Sequence, residues 1–135
     1  MKNGDILALY ETLKRISEDK EIKLNVVAGY ILAKNKEKLR QEAALIYKMR
    51  QDIIMEHGEL KGSTIIVPKE YIDEVNQQIN DLMEIDTEVE LKKIPINLIQ
   101  ELQLSLEEIE KLSVIIEPFE FTGSQIIEFE KKTDE

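Results

Sequence analysis

The sequence contains no cysteine, only one histidine and few aromatic residues, which make up 5% of its 135 residues. The absence of cysteine excludes disulfide bonds, thiolate zinc ligands and cysteine nucleophiles, and is typical of proteins from a reducing compartment. No apolar run approaches the roughly 18 residues that a membrane-spanning helix requires. Residues 1–5 lead directly into an amphipathic pattern, so we expect no secretory signal and a soluble protein made in a cytoplasm.

Basic residues are outnumbered by acidic ones, 18 to 28, which gives a net charge of −10 and a pI of about 4.7. Such a chain repels phosphate backbones, which disfavours direct nucleic-acid binding. Aromatic residues interleaved with basic ones, which single-strand binders use, are missing as well. The charge is consistent with solubility alone, and it also permits docking on a basic protein surface or imitation of nucleic acid.

What the sequence does contain is one long helical pattern over residues 25–57, which begins at Asn25 as the N-cap and ends before Gly58, placed for a left-handed C-cap. A helix of about 33 residues is roughly 50 Å long, more than the rest of so small a chain can cover. Large apolar residues recur in it every seven positions at Leu32, Leu39, Ile46 and Ile53. Because this seam is typical of a helix packed along another helix, these four residues are candidates for a protein contact, including self-association.

A helical pattern nearer the N-terminus predicts a first helix with Asn3 or Asp5 as its N-cap. Its apolar residues at helical spacing are Ile6, Leu9, Leu13 and Ile16. Polar residues, Asn35 among them, interrupt the second apolar row of the long helix. We therefore expect a helical hairpin over about residues 5–57 rather than a sustained coiled coil, with the distal half of the long helix partly uncovered.

The following part carries mixed strand and helix signals. Residues 63–67 contain a β-branched run that predicts a short strand, and Pro68 halts it. Residues 88–92 alternate strictly between apolar and charged, which predicts a second, half-exposed strand that pairs with the first or across a dimer. A third helix between them has its apolar residues at Tyr71, Val75, Ile79 and Leu82. Ser105 and Glu108 form a capping box that opens a last helix, with Leu106, Ile109, Leu112 and Ile116 inward.

The predicted fold is mainly α with minor β (α+β): a long N-terminal helical hairpin followed by a small strand–helix–strand–helix unit. Residues 1–117 are expected to form one helix-rich domain, with its mixed part over about residues 63–117. Residues 118–135 are interpreted as a C-terminal arm that packs on its own core or docks on a neighbour by strand addition, with a mobile end. Its apolar residues join the interaction candidates: Phe119, Phe121, Ile126, Ile127 and Phe129.

The search for a reactive site finds little. His57 lies at the C-terminal turn of the long helix, where a protonated imidazole would interact favourably with the helix dipole, and Glu56, His57 and Glu59 lack a standard metal-ligand spacing. The carboxylates concentrated in residues 73–90 occupy positions that the pattern leaves exposed, as on a solvated face. Residues 58–63 lack the order of a phosphate-binding loop and are interpreted as a turn. We therefore expect no catalytic, cofactor or metal site.

Several short segments follow one another in a set order: NGDI at 3–6, LNVVAGY at 24–30, AKN at 33–35, EVEL at 88–91 and LSLEEIEKL at 104–112. In this order, over roughly residues 3–117, the chain resembles a family of small uncharacterised proteins of tailed phages and prophages of Gram-positive bacteria. The resemblance implies a phage product without known enzymatic activity, and it carries no residue-level function.

Two hypotheses follow. The first is a non-enzymatic interaction protein, a tail or head accessory or assembly component of the virion, whose partners are phage structural proteins or further copies of itself. The second is an inhibitor or regulator of a host protein, such as a defence nuclease, that acts through its acidic surface. Either protein would be found in the host cytoplasm, and the first also in the virion.

Overall fold

The computed structural model describes residues 1–117. The elements in chain order are α1 (Asn3–Glu18), α2 (Val26–His57), β1 (Glu59–Lys61), β2 (Thr64–Ile66), α3 (Ile72–Glu84), α4 (Ile96–Gln100) and α5 (Leu106–Leu112), with 3-10 turns at Lys69–Tyr71 and Ser113–Ile115. Long helices followed by a small antiparallel sheet and shorter helices confirm the predicted α+β class. The interaction candidates of the predicted arm (Phe119, Phe121, Ile126, Ile127 and Phe129) lie outside the described residues.

The N-terminal end of α2 forms as predicted, and its C-terminal end does not. Asn25 has extended backbone angles and its side-chain oxygen accepts a hydrogen bond from the Ala28 amide at 2.8 Å, which satisfies a donor of the first turn. Gly58 has φ −84°, so the predicted left-handed C-cap is wrong. Glycine is required there for space, because a Cβ would lie 2.7 Å from the Ile54 carbonyl oxygen and 2.8 Å from Ile65 Cγ2. The chain therefore leaves α2 extended and enters β1 directly. Of the turn predicted over residues 58–63, residues 62 and 63 form it between β1 and β2, with Gly62 at φ 63°.

Helices α1 and α2 form the predicted hairpin and bury its apolar stripe. Lys36 contacts Ser17 near the connection, whereas Tyr47 contacts Glu11 farther along, so the two helices run antiparallel. The predicted inner residues of α1 are at most 2% exposed: Ile6, Leu9, Leu13 and Ile16. Burial of each such side chain contributes about 1.5–3 kcal/mol, so this stripe is a substantial part of the core.

The heptad seam of α2 is occupied within the chain. Leu32, Leu39 and Ile46 are at most 5% exposed, and the half-buried Ile53 packs against the same core. As residues for self-association or another protein contact, the three buried ones are not accessible, because their surface is already covered by α1 and the segments that follow. The prediction that the seam packs along another helix is met by α1.

The distal half of α2 packs against α3 and stays partly uncovered, as predicted, since none of its residues beyond Ile46 is fully buried. Ile54 of α2 lines a shallow cleft with Ile65, Val67, Val75 and Ile79. In α3, Val75 and Leu82 are buried, as the periodicity predicts. The predicted strand at 63–67 forms as β2, yet its partner is β1, with Leu60 opposite Ile65.

Residues 88–92 do not form the predicted second strand, and the predicted pairing with β2 is wrong. Val89 and Leu91 are half-buried against the core, which explains their alternation. The backbone partner is a side chain of α2: Asn35, itself fully buried, donates to the Lys92 carbonyl at 2.9 Å and accepts from the Lys92 amide at 2.8 Å. Asn35, which interrupts the apolar row in the sequence, therefore holds this extended segment against α2.

A second buried amide joins α1 to the end of α3. Asn3 is not the predicted N-cap of α1, since Lys2 occupies that position and Asn3 is the first helical residue. The Asn3 side chain donates to the Leu82 carbonyl at 2.9 Å and accepts from the Thr87 hydroxyl at 2.7 Å. Both of its polar ends are thus paired inside the fold, as burial requires.

The C-terminal part closes the core with residues that were only partly predicted. Ser105 and Glu108 form the capping box, with hydrogen bonds of 3.0 and 3.1 Å. Leu112 is fully buried, whereas Leu106 is 73% exposed, contrary to its predicted inward position. Ile115 is buried one residue before the predicted Ile116, because the chain tightens into a 3-10 turn after α5 and its phase changes.

We predict that Asn35→Leu lowers the free energy of unfolding by about 1–2 kcal/mol, because the amide and carbonyl of Lys92 lose their part-buried hydrogen bonds to the side chain of Asn35. Urea unfolding followed by circular dichroism measures the change. Asn80→Leu, the same substitution at an exposed position of α3, is the matched control and should change stability by less than about 0.5 kcal/mol. Equal effects of the two substitutions would contradict the role of the Asn35 side chain in holding the extended segment.

Candidate protein-interaction surface

The side of α2 that points away from the core carries exposed apolar residues in its first turns and again in its second half. Core residues of α2 recur every three or four positions from Ala28 to Ile46, and at about 100° per residue the opposite side is equally well defined. We call this opposite side the outer face. Its residues, all exposed, are Val26, Val27, Tyr30, Lys34, Glu37, Gln41, Ala44, Leu45, Lys48, Asp52 and Met55.

The apolar side chains of the outer face are largely accessible to solvent. Val26 is 87% exposed, Val27 and Tyr30 are 58% exposed, and Leu45 and Met55 are 54% and 40% exposed. Single exposed apolar residues are ordinary on protein surfaces, but three of them within the first two turns of one helix face, Val26, Val27 and Tyr30, are typical of a contact surface. Tyrosine is also enriched at the centres of protein interfaces, because it combines apolar area with a hydroxyl group.

The charged members of the outer face are held by neighbours on the same helix. Lys34 Nζ lies 5.8 Å from the centre of the Tyr30 ring. Arg40, beside the face, contacts the Glu37 carboxylate at 2.6 and 3.0 Å, and these hydrogen bonds lower the pKa of Glu37. Lys48 and Asp52 are 3.1 Å apart. Since such exposed pairs add little to folding stability, their charges remain available to a partner.

The single histidine lies at the corner between α2 and α3. The His57 ring stacks on the Tyr71 ring, with centroids 4.1 Å apart and planes 9° from parallel. Its Nε2 lies 3.2 Å from a carboxylate oxygen of Glu74. One face of the imidazole and one nitrogen are therefore engaged in fixing the turn into α3. Within residues 1–117 no three His, Cys, Asp or Glu side chains form a group that could hold a metal ion.

The carboxylates concentrated in residues 73–90 lie on a solvated surface, as predicted. The exposed ones are Asp73, Glu74, Asp81, Glu84, Asp86, Glu88 and Glu90. Two of them are partly neutralised, since Lys2 lies 3.0 Å from Glu84 and the Met1 amino group lies 2.6 Å from Asp86. The structure therefore places this charge at the surface instead of gathering it into a buried acid pair.

A groove of about 410 Å³ runs between α1 and α5. Its charged lining residues are Asp5, Glu107, Glu110 and Lys111. The lysine is paired with Glu107 at 3.2 Å along the same helix, an ordinary surface ion pair. The groove thus combines apolar walls with carboxylates and shows no arrangement specific to one chemistry.

In the part of the chain that the structure describes, no helix has the length and apolar character needed to cross a membrane.

Sequence reasoning assigned the contact role of α2 to its seam and missed the outer face. A signal was present, because Val26, Val27 and Tyr30 lie on the opposite side of the helix from Leu32 and Leu39 by simple helical rotation. Two apolar sets on one long helix indicate two contacts. The structure shows that the seam is the one made within the chain.

Comparison with known proteins found no matching family model, no matching curated protein and no matching solved structure. The resemblance to phage proteins therefore stays a prediction, and function has to be argued from the surface of this chain.

We predict that Tyr47 loses its phenolic proton at a clearly higher pH than free tyrosine does. Partial burial and a 2.8 Å hydrogen bond to Glu11 raise the pKa of Tyr47 to about 12, since both favour the neutral phenol. Its share of stability is fully present below pH 10 and is lost as the pH rises toward about 12. Tyrosinate absorbance measures this step.

The late step should be absent in Tyr47→Phe. It should move to lower pH, yet stay above the ordinary value, in Glu11→Gln, because burial is the larger cause. A late step that persists in Tyr47→Phe would contradict the assignment and, with it, the contact between α1 and α2 at this position.

Proposed function

We propose that this chain is a non-enzymatic protein–protein interaction protein that serves as a tail or head accessory or assembly component of a phage particle. The observation that supports an interaction role is the outer face of α2, where large apolar side chains stay exposed on a rigid helix. The phage setting is supported by the sequence resemblance alone. Under this proposal the protein is present in the host cytoplasm and in the virion.

The physical case for a contact at the outer face is its rigidity. A helix of 32 residues whose inner side is packed against α1 and α3 presents its outer side chains with little backbone entropy left to lose. Burial of Val26, Val27 and Tyr30 by a partner would contribute about 1.5–3 kcal/mol for each side chain fully covered. Such a site resembles the helix-face recognition in which anchors recur every three or four residues.

We predict that this chain co-purifies with particles of a phage that encodes it, at a defined copy number measurable by quantitative mass spectrometry. Val27→Ser with Tyr30→Ser should lower that copy number about tenfold or more, because loss of a buried tyrosine contact costs roughly 2 kcal/mol at an interface. Asn80→Ala, an exposed position on α3, is the control for a harmless surface change. Circular dichroism and a thermal melt verify that both variants fold.

Particles that lack the chain would contradict the assembly role. Particles that retain the double variant at the wild-type copy number would contradict the outer face as the contact.

The acidic surface supports a second candidate function, inhibition or regulation of a host protein such as a defence nuclease. Residues 70–91 contain eight acidic side chains and no lysine or arginine, and all seven carboxylates within residues 73–90 are exposed. A predominantly negative surface of this kind attracts a basic groove that normally receives nucleic acid. This function needs α3 and the segment after it, and it leaves the outer face unused.

We predict for this second function that immobilised protein captures a host nuclease at low salt and releases it at high salt, because surface charges are screened beyond about 8 Å at physiological salt. Asp81→Asn with Glu88→Gln and Glu90→Gln should abolish capture, while Val27→Ser with Tyr30→Ser should leave it unchanged. Capture that survives the charge-removing variant would contradict the role of the acidic surface.

A further inference from the structure

We propose that the outer face of α2 binds a second copy of this chain, with the two α2 helices antiparallel about a two-fold axis that crosses them between residues 42 and 43. The inference deepens the proposed interaction function, on which it rests, by naming the partner. Two features of the outer face support a second copy as the partner: the order of its charges, and the apolar residues near its two ends.

The charges of the outer face are complementary to their own reversed order. Along α2 they read Lys34, Glu37, Lys48 and Asp52, which alternate in sign. In an antiparallel pair of helices, two residues meet when they are equally far from the axis on opposite sides. The midpoint of Lys34 and Asp52 is residue 43, and the midpoint of Glu37 and Lys48 lies between residues 42 and 43. A single axis therefore brings each of the four charges opposite an unlike charge of the second copy.

One apolar pair of the outer face obeys the same axis. The midpoint of Tyr30 and Met55 lies between residues 42 and 43, and these side chains are 58% and 40% exposed. Two apolar contacts near the ends of the paired helices would thus be made, because the pair occurs twice under two-fold symmetry.

The centre of the outer face has the side chains that close packing needs. Gln41 and Ala44 lie beside the axis, and both are exposed and uncharged. The axes of packed helices lie roughly 8–10 Å apart, and the size of the side chains at the crossing point sets this distance. A small residue and a neutral one at the axis therefore allow close approach without burying an unpaired charge.

The parallel arrangement is disfavoured by the same residues. In parallel register each charge of the outer face meets its own copy, so that Lys34 faces Lys34 and Asp52 faces Asp52. Like charges placed opposite each other are destabilising across a helix interface. The ion pairs within the helix, Lys48 with Asp52 and Glu37 with Arg40, are exposed and need not break, since a second unlike charge from the other copy extends them into a network.

Sedimentation velocity of the full chain tests the stoichiometry and the pairing. The expected result is a concentration-dependent shift from the 15.7 kDa chain to twice that mass. Lys34→Glu and Asp52→Lys should each weaken dimerisation about tenfold or more, because each creates two like-charge contacts per dimer. The double variant K34E/D52K restores both contacts with signs exchanged and should dimerise within about threefold of the wild type.

Spin labels test the antiparallel register, since a chain without cysteine accepts single labels cleanly. A label on Gln41→Cys, beside the axis, should give a short distance between copies. A label on Glu56→Cys should give roughly 40 Å, which is twice its separation from the axis at 1.5 Å per residue. Parallel pairing would make both distances short and would overturn the proposal.

A chain that stays monomeric at all concentrations, or a double variant no better than the single ones, would also overturn it. If the chain is monomeric while Val27→Ser with Tyr30→Ser still removes it from particles, the partner at the outer face is a different protein and the proposed function stands. If it dimerises as described and never enters particles, the self-contact stands and the assembly role is wrong.

Discussion

The structure depends on one mismatch of length: α2 has 32 residues and α1 has only 16. A helix buries its inner stripe only where another element lies against it, so α1 can cover half of α2 at most. Part of the remainder packs against α3, while the extended segment after α3 lies along the first half of α2, where it contacts Asn35 and Lys38. The rest of the fold is thus arranged as successive cover for a single helix.

Two buried amides convert this cover into a fixed arrangement. Apolar burial is non-directional, and it would tolerate sliding of the extended segment along α2. The paired hydrogen bonds from Asn35 to Lys92 fix one register, and those from Asn3 to Leu82 and Thr87 fix the end of α3. A buried polar group that is fully paired costs little and specifies one geometry.

The features that could be predicted from sequence are those set by neighbours within one turn of helix. Asn25 and Ser105 were recognisable as caps because their bonding partners lie three residues away. Residues 88–92 were misread because their alternation shows a half-buried face and not what binds the backbone, which is Asn35, 57 positions earlier in the chain. Gly58 was misread for a similar reason, since the Ile65 side chain that demands glycine belongs to the following strand.

The unbroken length of α2 has a consequence for how this protein can vary. Removal or insertion of one residue in α2 rotates everything beyond it by about 100° relative to the preceding turns. Such a change near its middle would swing Ile46 and Ile53 out of the core and carry Leu45 and Lys48 away from their side of the rod. An insertion or deletion in α2 should therefore destabilise the protein far more than a substitution on the exposed side of the same helix.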